Sequence, residues 1–290
     1  MKFDSYHPFI NLIYFVASIA FIVSINHPVY VLIAYICMFI YSIKVNGPKQ
    51  LILNFLLAIL TVVYVWYYSF YTHFGITAIS TNFIGNNITI ESILFGAIRA
   101  LKIAALVMNL SCLVSIFSTD KIIYLFGRVS PKLSLFISII VRAVPRFINQ
   151  FKKINISRCE IGKGIGQGNL LRRFLNFCSV LSIAITWALE NFIESAASMK
   201  CRGYSLKGRT AYSIYRFDNR DRGVVFSFSL FLIAMFSAIS LKQTYFTFNP
   251  YIETTAITGI SYFFYAIYFI FLLIPFVLQI YAEHKFSRIS

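Results

Sequence analysis

The stretch MKCRGYSLKGRT, Met199 to Thr210, gathers Lys200, Arg202, Lys207 and Arg209 around an Arg-Gly pair. The chemistry open to such a group is recognition rather than bond-making. A guanidinium is a planar fork that pairs bidentately with a carboxylate, which an ammonium cannot reproduce. Upstream, Glu190, Glu194, Ser198 and Arg202 recur at intervals of four. On one helix they form a line with acids nearer the start and arginine at the C-terminal end, the layout that the helix dipole favours. Gly203 follows directly, where helices commonly stop. A helix ending there presents an arginine at an uncovered tip. The same spacing also describes an ordinary helix cap in a basic region.

A weaker echo lies upstream in RAVPRFINQFKKINISRCEIGKG, where an apolar segment again runs into a basic end at Ser157-Arg158-Cys159. Two arginine-bearing helix ends suit a pair of similar contacts on a two-lobed partner. The following GKGIGQG, Gly162 to Gly168, places glycine at alternate positions. A nucleotide-binding loop needs G-x-x-x-x-G-K-[ST] after a strand, and neither is present, so this reads as a flexible turn between two helices.

Other chemistries find no footing. Cys37, Cys112, Cys159, Cys178 and Cys201 form no C-x-x-C pair, and free thiols are expected. His7, His27, His73 and His284 are scattered, without the spacing of a metal site. An enzyme acting on phospholipid headgroups would need a nucleophile or an acid–base set. No His or Cys has a catalytic neighbour nearby, and Glu190 and Glu194 read as helix-stabilising residues. No metal or cofactor is expected on this chain.

The elements that must hold these arginines are membrane helices. Hydrophobic residues make up 59% and charged residues 12% of the 290 positions, against about 45–50% and 25% in soluble domains. The fold class is therefore an all-α integral membrane protein with about six transmembrane helices plus long helices on the cytoplasmic side. Apolar runs at about 9–25, 28–43, 51–71, 92–118, 224–241 and 260–281 supply the six spans. The first pair is separated by Asn26-His27, with Pro28 opening the second, and reads as a tight helical hairpin. The N-terminus makes a weak signal-peptide start, so its first apolar segment is expected to remain as a helix.

Charge placement orients the chain. Lysine and arginine collect in cytoplasmic loops. The 44–50 loop carries Lys44 and Lys49, the 72–91 loop has no Lys or Arg, and the C-terminus ends with Lys285 and Arg288. Both termini are thus expected in the cytoplasm of a multi-pass plasma-membrane protein. Residues 119–223 hold 18 of the 26 cations. This divides the chain into N-terminal transmembrane helices 1–118, cytoplasmic or membrane-surface helices 119–223 and C-terminal transmembrane helices 224–290. Two apolar pieces, 133–147 and 174–192, interrupt the basic region. As spans they would put Lys152, Lys153, Arg158, Lys163, Arg172 and Arg173 outside, so they are read as helices along the cytoplasmic surface. The net charge of +16 is attributed to this bias and not to nucleic acid. Arg99 and Lys102, three apart inside the fourth run, are expected to snorkel or to pair with Glu91.

The chain resembles the transmembrane T component of energy-coupling factor (ECF) transporters, the ABC-type importers of vitamins and metal ions. The resemblance rests on YHPFINLIYF with NHPVYVL, on IGNNITIESILFG, on TDKIIYLFGRVSPKLSLFISIIVRAVPRF and on TWALENFIESAASMKCRGYSLKGRTAYSIYRF. It implies a non-catalytic scaffold that couples two cytoplasmic ATPase subunits to a substrate-binding membrane S subunit, with ATP and Mg bound by the ATPases. The family carries two Ala-Arg-Gly signatures at the ends of its coupling helices, each arginine meeting acidic residues of one ATPase. The second corresponds to Cys201-Arg202-Gly203, with Cys for Ala. The first falls at Ser157-Arg158-Cys159, where glycine is missing, or the helix there ends instead at Gly162. The rival reading is a self-contained permease or channel, which would show polar groups along several spans or inverted repeats with broken helices. The sequence displays neither.

Overall fold

The computed structural model describes residues 3–72, 75–81, 87–204, 215, 217–248, 252–256 and 258–287. Its α-helices, in chain order, are α1 (Pro8–Ser24), α2 (Pro28–Asn46), α3 (Lys49–Tyr71), α4 (Ile90–Ile116), α5 (Thr119–Val129), α6 (Pro131–Glu160), α7 (Leu170–Cys201), α8 (Asn219–Ser240) and α9 (Gly259–Ser287). Two short antiparallel hairpins join them: β1 (Ala78–Thr81) with β2 (Asn87–Thr89), and β3 (Phe246–Thr247) with β4 (Glu253–Thr254). The protein is an all-α, multi-pass membrane protein. By length and composition α2, α3, α4, α6, α7, α8 and α9 can each cross a bilayer, whereas α1 has 17 residues. This set includes α6 and α7: α7 has no charged residue between Arg173 and Glu190, and α6 has only Arg142 and Arg146 between Lys132 and Lys152.

The chain divides into two compact units, 1–118 with 215–290, and 119–214. In the first, the expected hairpin forms, with Pro28 at the first turn of α2 and His27 as its N-cap. Proline suits that position because its missing N–H has no intrahelical partner there. His7 caps α1, its Nδ1 accepting the Phe9 N–H at 3.2 Å. The core is aromatic: Tyr14, Phe15, Tyr41, Phe228, Tyr268 and Phe271 are essentially inaccessible, together with Met108 and Met235. Between α2 and α4 the buried residues include Ala34, Ala100, Ala104 and Ala105, and small side chains let helix backbones approach closely in a membrane. Gly96 does the same for α3; a Cβ there would sit 3.2 Å from the Tyr68 ring.

Polar side chains stitch the spans together. Asn54 Nδ2 donates to Ser42 Oγ at 2.8 Å, Asn46 Nδ2 to Ser111 Oγ at 2.8 Å, and Asn109 Nδ2 to Ser18 Oγ at 2.8 Å. At the same end as Asn46, Lys44 pairs with Glu283 of α9 at 2.6 Å. Pro275 interrupts α9, which removes a backbone donor. Next to the carbonyl so freed, that of Leu272 accepts the Tyr14 hydroxyl at 3.1 Å. At the opposite end, Tyr265 Oη meets His27 Nε2 at 3.3 Å. Burial lowers the His27 pKa, so the ring is neutral near pH 7.

Of the two alternatives for Lys102, snorkelling or a pair with Glu91, the pair does not form. Lys102 Nζ donates to the Val23 carbonyl at 2.7 Å and to Asn26 Oδ1 at 2.8 Å, capping the end of α1 and the α1–α2 turn. Glu91 instead accepts the Thr77 hydroxyl at 2.6 Å. Lys102 is nearly three turns along α4 from Glu91, while the α1–α2 turn lies within reach of its ammonium.

Candidate functional site: two arginine-bearing helix ends

The second unit holds both helix ends singled out in the sequence. The α6 and α7 helices are long, 30 and 32 residues, and pack on one another through Phe151 and Phe177, whose ring centroids are 6.2 Å apart. Val180 and Ala184 of α7 are fully buried. Most other apolar residues of α7 remain exposed, including Leu170, Leu171, Phe174 and Leu175.

Helix α7 runs through Cys201, and Arg202 is its C-cap. Gly203 then turns left-handed at φ 72°. The Gly203 N–H donates to the Lys200 carbonyl at 2.9 Å and the Tyr204 N–H to the Met199 carbonyl at 3.2 Å. This pair of bonds is the Schellman motif, which satisfies carbonyls that a helix end otherwise leaves open. Glycine takes this conformation at least cost, because a Cβ is crowded in the left-handed region. Arg202 and Cys201 are both solvent-exposed, so the guanidinium stands at the helix tip. Glu190, Glu194 and Ser198 are exposed on the same helix. The remainder of the basic stretch, with Lys207 and Arg209, lies outside the described residues.

Helix α6 closes with the same motif, but three residues later than Cys159. The Gly162 N–H donates to the Cys159 carbonyl at 3.0 Å and the Lys163 N–H to the Arg158 carbonyl at 2.9 Å, with Gly162 at φ 78°. The position equivalent to Arg202 is therefore Ile161. Ser157, Arg158 and Cys159 are helical residues of the last turn, not the stop itself. The left-handed turn costs least where a residue lacks Cβ, and Gly162 is the first glycine after Arg158. Arg158 is half-buried, and its Nε finds no hydrogen-bond partner.

The connection after Gly162 is also more ordered than a flexible turn. Asn155 Oδ1 accepts the Ile165 N–H at 3.1 Å, Gln167 Nε2 donates to the Cys159 carbonyl at 3.1 Å, and Asn176 Nδ2 donates to the Gly164 carbonyl at 3.0 Å. Gly164 packs so closely on α6 that a Cβ would collide with Cys159 Sγ. Three amide side chains thus lock the α6–α7 hairpin. Sequence reasoning missed Asn155, Gln167 and Asn176; their carboxamides flanking a glycine-rich turn were the available signal.

Among the described residues no group of three His, Cys, Asp or Glu side chains is placed to hold a metal ion. What the site offers is an exposed guanidinium on a rigid, capped helix, suited to a carboxylate.

No family model matches the chain. It is similar to the energy-coupling factor transporter transmembrane protein EcfT of Bacillus selenitireducens, with 26% identity over 152 residues, covering 48% of this chain and 56% of that protein. It is likewise similar to the EcfT of Staphylococcus aureus, with 30% identity over 91 residues, covering 31% of this chain and 34% of that protein. The chain thus spans about half and a third of the lengths of these two relatives.

Proposed function

We propose that this protein is the transmembrane scaffold of an energy-coupling factor importer, transmitting the motion of two cytoplasmic ATPases to a substrate-binding membrane subunit. The observation that carries this reading is the end of α7, where Arg202 caps the helix in the exposed Cys201-Arg202-Gly203 turn. The similarity to two EcfT proteins supports it. In this reading the first unit sits in the plasma membrane with both termini in the cytoplasm. Helices α5 to α7 form the cytoplasmic coupling region, as the concentration of cations in 119–223 favours.

Arg202 is the principal contact, entering a groove on one ATPase and meeting acidic side chains there. Arg158 supplies the second contact from within the last turn of α6. The scaffold itself hydrolyses nothing; ATP and Mg belong to the ATPases, and the vitamin or metal ion belongs to the S subunit. The experiment is affinity purification in mild detergent from cells that contain the whole transporter. Co-purification of two ATPases and a small membrane protein supports the reading. Recovery of the chain alone across several detergents, or solute transport by the chain reconstituted alone, overturns it.

A further inference from the structure

A cleft of about 400 Å³ opens at the end of the first unit that carries the two β-hairpins. It is lined by Asn26 from the α1–α2 turn, Tyr68 of α3, Phe95 and Arg99 of α4, and Phe246, Thr247 and Phe248 of the β3 segment. The walls are an aromatic chain. Tyr68 meets Phe95 at 5.6 Å, Phe95 meets Phe248 at 5.2 Å, and Phe248 meets Phe246 at 4.7 Å between ring centroids.

The polar groups in this cleft lean one way. The Arg99 guanidinium lies over the Phe95 ring, 4.9 Å from its centroid. That cation–π contact holds the guanidinium over the ring and uses none of its N–H donors. Asn26 is oriented by Lys102, a pure donor, which takes its Oδ1 at 2.8 Å. The amide NH2 is the part of Asn26 that remains to bind a ligand. Thr247 adds a hydroxyl, and among the described residues no carboxylate lines the cleft. Donors and a fixed positive charge on an aromatic wall describe a receptor for an oxyanion that also has an apolar part. Arg99 is exposed, yet it sits on a helix apolar enough to cross the membrane. Such a charge is retained where it has work to do.

We propose that this cleft binds the phosphate of an anionic membrane phospholipid, Arg99 and the Asn26 amide holding the phosphate oxygens while Phe95, Phe246 and Phe248 receive the glycerol and the first acyl carbons. A volume of about 400 Å³ falls in the range of about 300–1,000 Å³ usual for small-ligand clefts. A lipid fits better than free phosphate because aromatic surface makes up much of the lining and contributes nothing to a bare inorganic ion. Lys102 acts as a positioning residue, since it sets which face of the Asn26 amide is presented.

The test uses the full chain in nanodiscs of neutral phosphatidylcholine doped with a photoactivatable phosphatidylglycerol bearing its diazirine near the ester. Adducts are mapped by peptide. The expected result is labelling of peptides containing 91–102 and 246–248, reduced about tenfold or more in Arg99→Gln and largely retained in Arg99→Lys. Basic residues elsewhere will also attract this lipid, so labelling within 119–204 should be equal in all three proteins and reports that each is folded. Equal labelling of the cleft peptides in wild type and Arg99→Gln overturns the proposal, as does no label there. Displacement of the cleft adducts by millimolar inorganic phosphate overturns the lipid assignment in favour of a free-phosphate site.

Discussion

Gly162 and Gly203 occupy the same position of the same turn: each is the left-handed residue that closes a helix, at φ 78° and 72°. The residues preceding them differ, Ile161 in one case and Arg202 in the other. The two helix ends are therefore alike in backbone and unlike in chemistry, and only α7 carries its arginine at the tip.

Replacing Gly203 with alanine forces a Cβ into the left-handed region, at a cost of roughly 1–2 kcal/mol. Amide exchange at 203–204 should accelerate about tenfold, with the rest of α7 unchanged. Asparagine at 203 should be milder, because its short polar side chain tolerates this conformation. Exchange rates equal to wild type in Gly203→Ala would show that the motif does not hold the tip.

Arg158 and Arg202 should not weigh equally. Arg158→Ala removes a half-buried side chain with an unpartnered Nε, and is expected to weaken ATPase binding by about 1 kcal/mol. Arg202→Ala should cost about 2–5 kcal/mol, the range for truncating one side of a buried charge pair. Titrating each variant with purified ATPase, followed by fluorescence, reads the difference. A larger loss for Arg158→Ala would reverse the assignment.

Thiol labelling tests the orientation. Cys201 is exposed while Cys37 and Cys112 are buried. A membrane-impermeant maleimide should label Cys201 in inside-out vesicles and not in right-side-out vesicles, using a variant with Cys159 and Cys178 changed to serine. Assembly with the ATPases should then protect Cys201. Labelling from the outside would contradict a cytoplasmic coupling region.

In the membrane unit, the Asn54–Ser42 bond joins α3 to α2 at 2.8 Å, and Gln50 Nε2 donates to Asn54 Oδ1 at 3.3 Å. A double-mutant cycle with Asn54→Ala and Ser42→Ala should give a coupling near 0.6 kcal/mol and no more than about 1.7 kcal/mol, as for other interhelical bonds in membranes. Reversible denaturation in mixed micelles measures it. Zero coupling would remove Asn54 from the stitching of these helices.

Much of the frame was legible because its signals are local. Pro28 marks the start of α2, the apolar runs mark the helices of the first unit, and the Arg202-Gly203 pair marks the end of α7. Contacts between residues far apart in sequence were not legible. Nothing local ties Lys102 to the Val23 carbonyl, or Asn46 to Ser111. The α6 end was legible only as a choice between Ser157-Arg158-Cys159 and Gly162; the alignment of Arg158 with Arg202 favoured the first, and the backbone turns at the second. The α6–α7 turn was read as flexible from its glycines alone, although Asn155, Gln167 and Asn176 supply the hydrogen bonds that fix it.

The central claim is that Arg202 links this scaffold to an ATPase. It is tested most directly by purifying tagged wild type and Arg202→Glu from the native host in mild detergent, then measuring bound ATPase and solute uptake. The account predicts that wild type retains both ATPases. Arg202→Glu should lose ATPase, or retain it with hydrolysis uncoupled from uptake, and Arg202→Lys should fall between. Normal assembly together with normal uptake by Arg202→Glu would contradict the account.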